Sequence, residues 1–321
     1  MGTIISCMVQ KESIVKYCSS TGLVRGHSTV GGLVGSCYQK CSIKRCFSKS
    51  RVIGIQQVGG LCGEVIEGGI TYSYSQGEVS GESYIGGLVG LGLSSSYGSN
   101  YSTSEVRGNS LVAGFLGDCV NSHIRDCFCT GDVYCYDSLG AGFVSRIWYG
   151  SSASFCYTRS KVFGDKGIFG FTGWLGDGNI NQIYWDSERS GIDSSFVGDP
   201  KTTEEMKSKE TYTSTGWDFV RVWLINSNDN DGYPFIIYRV VSVREETPKK
   251  TKSIIYPNPA TDKIFIQSEK TAIVRIFNMR GELMFSTQGR EIDISKLTQG
   301  FYFVIISDGR KILSKEKLIV R

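Results

Sequence analysis

Histidine is nearly missing from this chain: of 321 residues only His27 and His123 are histidines. A His-based catalytic triad or a Cys/His metal cluster therefore has little to build from. Proline is almost as scarce, at five residues, and no run of 18 apolar residues occurs, so no transmembrane helix is expected. The 35 basic and 31 acidic residues nearly cancel, and they form no concentrated basic stripe of the kind nucleic-acid binding requires. The opening MGTIISCMVQKES lacks the charged start, apolar stretch and cleavage site of a secretory signal. Met1-Gly2 followed by Ser6 fits a loose myristoylation pattern, which is a chance match here. The eleven cysteines cannot all pair, and none forms a metal-like CxxC…CxxC set. Cys127-Phe128-Cys129 is too tight for a zinc knuckle.

What the chain has in quantity is glycine, 40 residues, with 12% aromatics and few helical patterns. That balance predicts an all-β protein with many turns. A nine-residue block recurs: CSSTGLVRG at 18–26, CFSKSRVIG at 46–54, SYSQGEVSG at 73–81, NYSTSEVRG at 100–108, CFCTGDVYC at 127–135 and CYTRSKVFG at 156–164. A second block recurs in phase: GGLVG at 31–35, GGLCG at 59–63, GGLVG at 86–90, then AGFLG at 113–117, AGFVS at 141–145 and KGIFG at 166–170. Its second residue falls at 32, 60, 87, 114, 142 and 167, intervals of 28, 27, 27, 28 and 25. Two markers holding one period over six copies indicate a stacked repeat. About 27 residues suit one coil of a β-solenoid, and six coils at about 4.8 Å each would rise roughly 29 Å.

Stacking explains the block. Val24, Val52, Val79, Val106, Val133 and Val162 would form an inward ladder, with small residues at the other odd places of the block. Cys18, Cys46, Cys127 and Cys156 occupy the first of those places, either as buried thiols acting as small hydrophobes or as disulfides between coils. Strand alternation turns the second residue outward: Phe47, Tyr74, Tyr101, Phe128 and Tyr157. Such an aromatic ladder could stack on sugar rings or a partner strand; a turn inside the block would instead bury it. These paired blocks resemble the GLUG motif over roughly residues 1–185. The motif occurs in tandem in bacterial surface and secreted proteins, and it implies a scaffold rather than an activity.

Residues 186–240 change character and read as a C-terminal cap over the open solenoid end. Thr202 and Glu205 form a capping box for a short helix near 203–209, and the stretch holding Trp217 and Trp223 reads as strand. Asn226 to Gly232, NSNDNDG, invites a calcium-loop reading. Tyr238 stands where an EF-hand needs Glu, so an Asx/Gly turn is the simpler expectation.

A charged linker, 241–253, precedes about 70 residues with seven or so short strands, which predict a small β-sandwich over 254–321. Here YPNPATDKIFI, VRIFNMRGELM, ISKLTQGFYFVII and KEKLIVR resemble the type A C-terminal sorting domain of the type IX secretion system of Bacteroidetes. The residues carrying the likeness are Tyr256, Pro257, Asn258, Pro259, Gly281, Gly300, Tyr302 and Lys317. The resemblance implies the secretion machinery as partner, Sec and then type IX export, secretion or outer-membrane attachment, and removal of the domain in the linker. No signal peptide is in view, which conflicts with that route, so the expectation is that the chain is the C-terminal part of a longer protein or that its start is misassigned.

The expected function is a non-enzymatic adhesin-like or spacer scaffold whose partner is a surface glycan or host protein, not nucleic acid. The alternative is the accessory stalk of a surface enzyme. A β-helix lyase or hydrolase would need clustered carboxylates. Asp118, Asp126, Asp132 and Asp137, with Arg125 nearby, do not repeat in phase or show paired spacing. No cofactor is expected beyond the calcium alternative.

Overall fold

A computed structural model describes residues 8–9, 12–237, 255–267, 272–278, 282–307 and 312–321. The chain divides into two compact units, Met1–Tyr238 and Arg239–Arg321. The linker at 241–253, Gly281 and the Asp308-Gly309 turn lie outside the described residues.

The first unit is a parallel β-solenoid of about six turns. The coil around residues 42–66 shows the plan, with strands Ser42–Lys44, Phe47–Ile53, Gln56–Gly59 and Cys62–Ile66. The last of these joins a seven-stranded parallel sheet with its counterparts from Met8–Val9 to Thr172–Leu175. The other three join one continuous parallel sheet that wraps the remaining sides. Val24, Val52, Val79, Val106, Val133 and Val162 stand in register, all buried. They pack with Val30, Val58, Ile85 and Val112 in one apolar column. A larger core runs beside it through Leu61, Leu88, Phe115, Phe143 and Phe171.

The two sequence blocks keep one period because they touch. The second residue of the glycine block (Gly32, Gly60, Gly87, Gly114, Gly142) lies against the third residue of the next nine-residue block, and Gly170 lies against Trp185. A Cβ added at Gly60 would come within 2.9 Å of Ser75 Cβ, one at Gly114 within 2.9 Å of Cys129 Sγ, and one at Gly142 within 3.0 Å of Thr158 Cγ2. The register corrects the sixth copy. Ala141 pairs with Phe169 and Val144 with Thr172, so the unit is FGFTG at 169–173, not KGIFG. Gly167 instead sits in a turn at φ 64°. The irregular interval of 25 thereby becomes 28, from 142 to 170.

Three corners per coil are turned by non-glycine residues in the left-handed region, for example Gln57, Glu67 and Tyr72 at φ 51–53°. Each such residue carries a strain of about 1–3 kcal/mol, offset by side chains that bond coil to coil. At one corner Cys46 N–H donates to Ser73 Oγ (3.0 Å), Ser73 N–H to Asn100 Oδ1 (2.9 Å) and Asn100 N–H to Cys127 Sγ (3.4 Å). At another, Ser95 N–H donates to Ser122 Oγ and Ser122 N–H to Ser151 Oγ, both at 3.0 Å. The first place of the block is thus a polar corner post and not merely a small core position. On the seven-stranded sheet Arg146 grips Asp118 of the preceding coil through Nε (3.0 Å) and Nη2 (2.6 Å). This pins the register of two adjacent coils.

Among the described residues eight cysteines are free, and all but Cys18 are buried. Cys18 and Cys46 are not bonded to each other; the described disulfide, Cys37–Cys41, closes a corner within one coil. Burial pushes the thiols of Cys119 and Cys129 up from 9.0 to about 12. In the unfolded chain these thiols ionise near pH 9, whereas in the folded chain they stay protonated. Stability is therefore undiminished below pH 9 and falls as pH rises toward 12, by about 1.4 kcal/mol per pH unit for each group. Thermal melts of the reduced protein from pH 8 to 11 should show this decline, and Cys119→Ser with Cys129→Ser should lessen it, the buried Cys62 and Cys156 thiols, also pushed up, keeping a remainder. An unchanged slope in that double variant would assign the loss to other groups.

The second unit is an antiparallel sandwich, as its strand count predicts. One sheet holds Ile255–Tyr256, Lys263–Ile266 and Glu291–Asp293. The other orders Leu283–Gly289, Ala272–Phe277, Gly300–Ser307 and Ile312–Val320. Ile264, Val274, Ile276, Ile294, Val304, Ile306 and Leu318 fill the space between.

Candidate functional site

The aromatic residues Phe47, Tyr74, Tyr101, Phe128, Tyr157 and Tyr184 occupy one flank of the solenoid in unbroken register, with Ser19 at the corresponding place of the first copy. Alternation holds through the block, and the rings point away from the strand core. Ring-to-ring distances are 5.0, 4.7, 5.0 and 5.2 Å from Phe47 to Tyr157, with planes within 10° of parallel. Each ring face therefore lies against another ring, worth about 0.5–1.5 kcal/mol per pair beyond burial. Inner rings offer edges and hydroxyls rather than faces, which revises the expectation of a sugar-stacking platform. A further correction concerns Phe128 and Tyr157, which are buried and do not form part of an open ladder. Phe47, Tyr74 and Tyr101 remain half-buried.

The cover over Phe128 and Tyr157 is the segment after Asp186. It does more than close the solenoid end: it folds back along the aromatic flank. Trp217, Trp223, Tyr212, Tyr233, Met206 and Ile236 form one cluster with Phe128, Tyr157 and Tyr184. Trp223 Nε1 donates to Asp126 at 3.3 Å. Where the ladder emerges, a 300 Å³ cleft is lined by Tyr101, Thr103, Phe128, Asp229, Asn230, Phe235 and Ile236. The end of the large core is closed by Trp185, whose indole lies against Gly170 and donates to Ile192 O at 3.0 Å.

Local sequence explains the fold-back. The Thr202–Glu205 capping box is formed and starts helix Thr203–Lys207; a break at Ser208 precedes helix Lys209–Thr213. The strand expected through Trp217 and Trp223 shrinks to Trp223–Leu224, because Asp218 Oδ1 accepts from Val220 and Arg221 N–H and makes a turn. Asp186, fully buried, joins the pieces. Its carboxylate accepts from Arg189 N–H (2.8 Å), Thr203 Oγ1 (2.8 Å) and the Tyr233 hydroxyl. In the Asn226–Gly232 stretch Asn226 Oδ1 accepts from Asn228 and Asp229 N–H, both at 2.9 Å. Asn230 Nδ2 reaches Tyr157 Oη at 2.7 Å and Pro234 O at 2.8 Å. The stretch is built as an Asx turn that docks on the ladder.

Of the acidic residues considered for catalysis, Asp118, Asp126 and Asp132 each have a different partner. Asp118 is engaged by Arg146 on the seven-stranded sheet. Asp126 lies under Trp223, where burial raises its carboxyl against the opposing pull of Arg125. Asp132 stands beside Lys161 N–H in the next coil.

In the sandwich the Tyr256-Pro257-Asn258-Pro259 turn is locked to the terminal strand. The Asn258 amide donates to Lys317 O, and its Oδ1 accepts from Ile319 N–H at 3.0 Å. Ala260 continues the pairing, donating to Ile319 O (2.8 Å) and accepting from Arg321 N–H (2.9 Å). An asparagine suits the place because only a side-chain amide offers one donor and one acceptor at strand spacing. Gly300 opens the strand facing Val320, and the buried Tyr302 returns its hydroxyl to Thr298 O at 2.8 Å. Lys317 lies 4.2 Å from the centre of the exposed Phe301 ring. Tyr256 is exposed.

Residues 254–321 match the family described as the secretion system C-terminal sorting domain. The second unit thus matches a secretion-system sorting domain, which implies export of the solenoid joined to it to the cell surface or the medium. A protein of Evansella cellulosilytica named as a Gly-rich membrane protein is 30% identical over 115 residues, 34% of this chain and 13% of that protein. The chain thus aligns with well under two thirds of that relative's length. Among the described residues no helix is long and apolar enough to cross a membrane.

Proposed function

We propose that the solenoid is a non-enzymatic, adhesin-like binding scaffold, built of GLUG-type repeats in a Bacteroidetes-like exported protein and carried out by its C-terminal domain. The observation that carries this reading is the sorting domain joined to a solenoid with a closed C-terminal end and a long, chemically varied outer surface. The linker near 241–253 is where the sorting domain is removed. A second reading, the accessory stalk of a longer surface enzyme, is favoured by the match to only 13% of a longer relative.

The test places the chain behind a Sec signal in a type IX-competent host, with and without residues 254–321. The full chain is expected at the surface or in the medium, shortened by the sorting domain, while the truncated chain stays in the periplasm. Equal export of both would remove the basis for the reading. The exported solenoid should then bind immobilised surface glycans or host proteins without changing their mass; cleavage of any of them would favour an enzyme.

A further inference from the structure

We propose that the junction between the last coil and the cap is a binding site for oxyanions, fitted to the sulfate esters or carboxylates of an acidic polysaccharide. A 480 Å³ cavity there is lined by Arg159, Lys161, Glu188, Arg189, Thr203, Lys207, Asp231 and Tyr233. Four cations from three segments converge on it, against two carboxylates.

Both carboxylates are already engaged. Asp231 pairs with Arg159 at 2.8 Å, and Glu188 accepts from Thr203 N–H at 2.9 Å. Lys161, Arg189 and Lys207 have no carboxylate within ion-pair distance among the described residues. The side chain of Arg159 is only 10% exposed, and its Nε is a buried donor without a partner. Such a donor is unfavourable unless something accepts from it. Its guanidinium is held in place by the Tyr233 ring at 4.8 Å, with Lys207 Nζ 5.0 Å from the same ring. Arg189 is fixed by donating from Nε to Arg159 O at 2.9 Å. Cations held this way before a ligand arrives give up little side-chain freedom on binding. The geometry therefore favours a flat or tetrahedral oxyanion, which guanidinium groups recognise through paired donors. The volume falls in the range of small-ligand pockets and leaves room for a sugar ring carrying the anion.

This inference deepens the proposed scaffold role by naming a ligand class, but the site can be tested without export. The full-length protein is titrated with sulfated galactan oligosaccharide, polygalacturonate oligosaccharide, neutral dextran oligosaccharide and sodium sulfate, at 20 and 300 mM salt. An acidic oligosaccharide is expected to bind, weakening with salt, while dextran does not. Arg189→Gln with Lys207→Gln should weaken binding roughly tenfold or more, with an unchanged melting temperature showing that the cap is intact. Lys44→Gln, on a distant coil, should leave affinity unaltered. Binding of sulfate without either acidic oligosaccharide would keep the oxyanion site and overturn the polysaccharide as its source. Absence of binding by every anionic probe at 20 mM salt, or equal affinity in the double variant, would overturn the site itself. Loss of export with binding intact would count against the scaffold role alone.

Discussion

Gly87→Ala is expected to destabilise the solenoid by about 3 kcal/mol or more, a large share of the roughly 5–15 kcal/mol that holds a domain folded. The new methyl would meet the carbonyl oxygen of Gly114 and the hydroxyl of Ser102, with the Gly114 carbonyl carbon at 2.9 Å. Two of these atoms are backbone of the next coil, which cannot retreat without breaking the ladder that spaces the coils. Gly87 has no positive φ, so the penalty is steric. The control is Gly98→Ala, where the nearest atom to the added Cβ is Thr71 Cγ2 at 3.7 Å. That change should lie within about 0.5 kcal/mol of the parent. Urea unfolding followed by circular dichroism separates the two; equal midpoints would mean that the coils are not held in the close contact described.

Asp186→Ala should be worse, at about 3–5 kcal/mol, because it strips the acceptor from several donors in one buried place. Arg189 N–H, Thr203 Oγ1 and the Tyr233 hydroxyl would all lose their partner, and helix Thr203–Lys207 would lose its anchor to the strand Asn179–Asp186. The expected signature is local. Trp217 and Trp223, both buried, should become solvent-exposed and shift their fluorescence to the red, while the strand signal of the coils persists. Asp186→Asn, which keeps one acceptor oxygen, should lose less. A variant whose fluorescence matches the parent would show that the aromatic cluster alone secures the cap.

Much of the solenoid was legible because stacking writes itself into the sequence as a period. The valine ladder, the glycine pairs and the outward second residue could be read from spacing alone, since each side chain must fit its counterpart one coil away. The sixth glycine block was misplaced because Phe169 had replaced the first glycine, leaving Gly167 as a decoy three residues upstream. What the period could not show is what lies across the aromatic flank. Phe128 and Tyr157 look like Phe47 and Tyr74 in sequence; only the return of residues 202–237 distinguishes them. The anion site escaped for the same reason, since Arg159, Arg189, Lys207 and Asp231 belong to four separate segments. One signal did point to the fold-back: the Trp and Tyr content of 212–233. In the sandwich, the pairing of Asn258 with the final strand is a contact across 59 residues, invisible without the fold.

The fold-back along one flank also makes the molecule polar in its tolerance of length. Coils are interchangeable wherever each sees only its neighbours, so duplicating or deleting one upstream of Tyr101 would lengthen or shorten the rod by about 4.8 Å and disturb nothing else. The coils of Phe128, Tyr157 and Tyr184 are different, because a single strap of chain measures across all three and an inserted coil would throw its contacts out of step. Related chains should therefore vary in coil number at the N-terminal side of residue 100 and keep a fixed count beneath the strap. The protein is a ruler graduated from one end only.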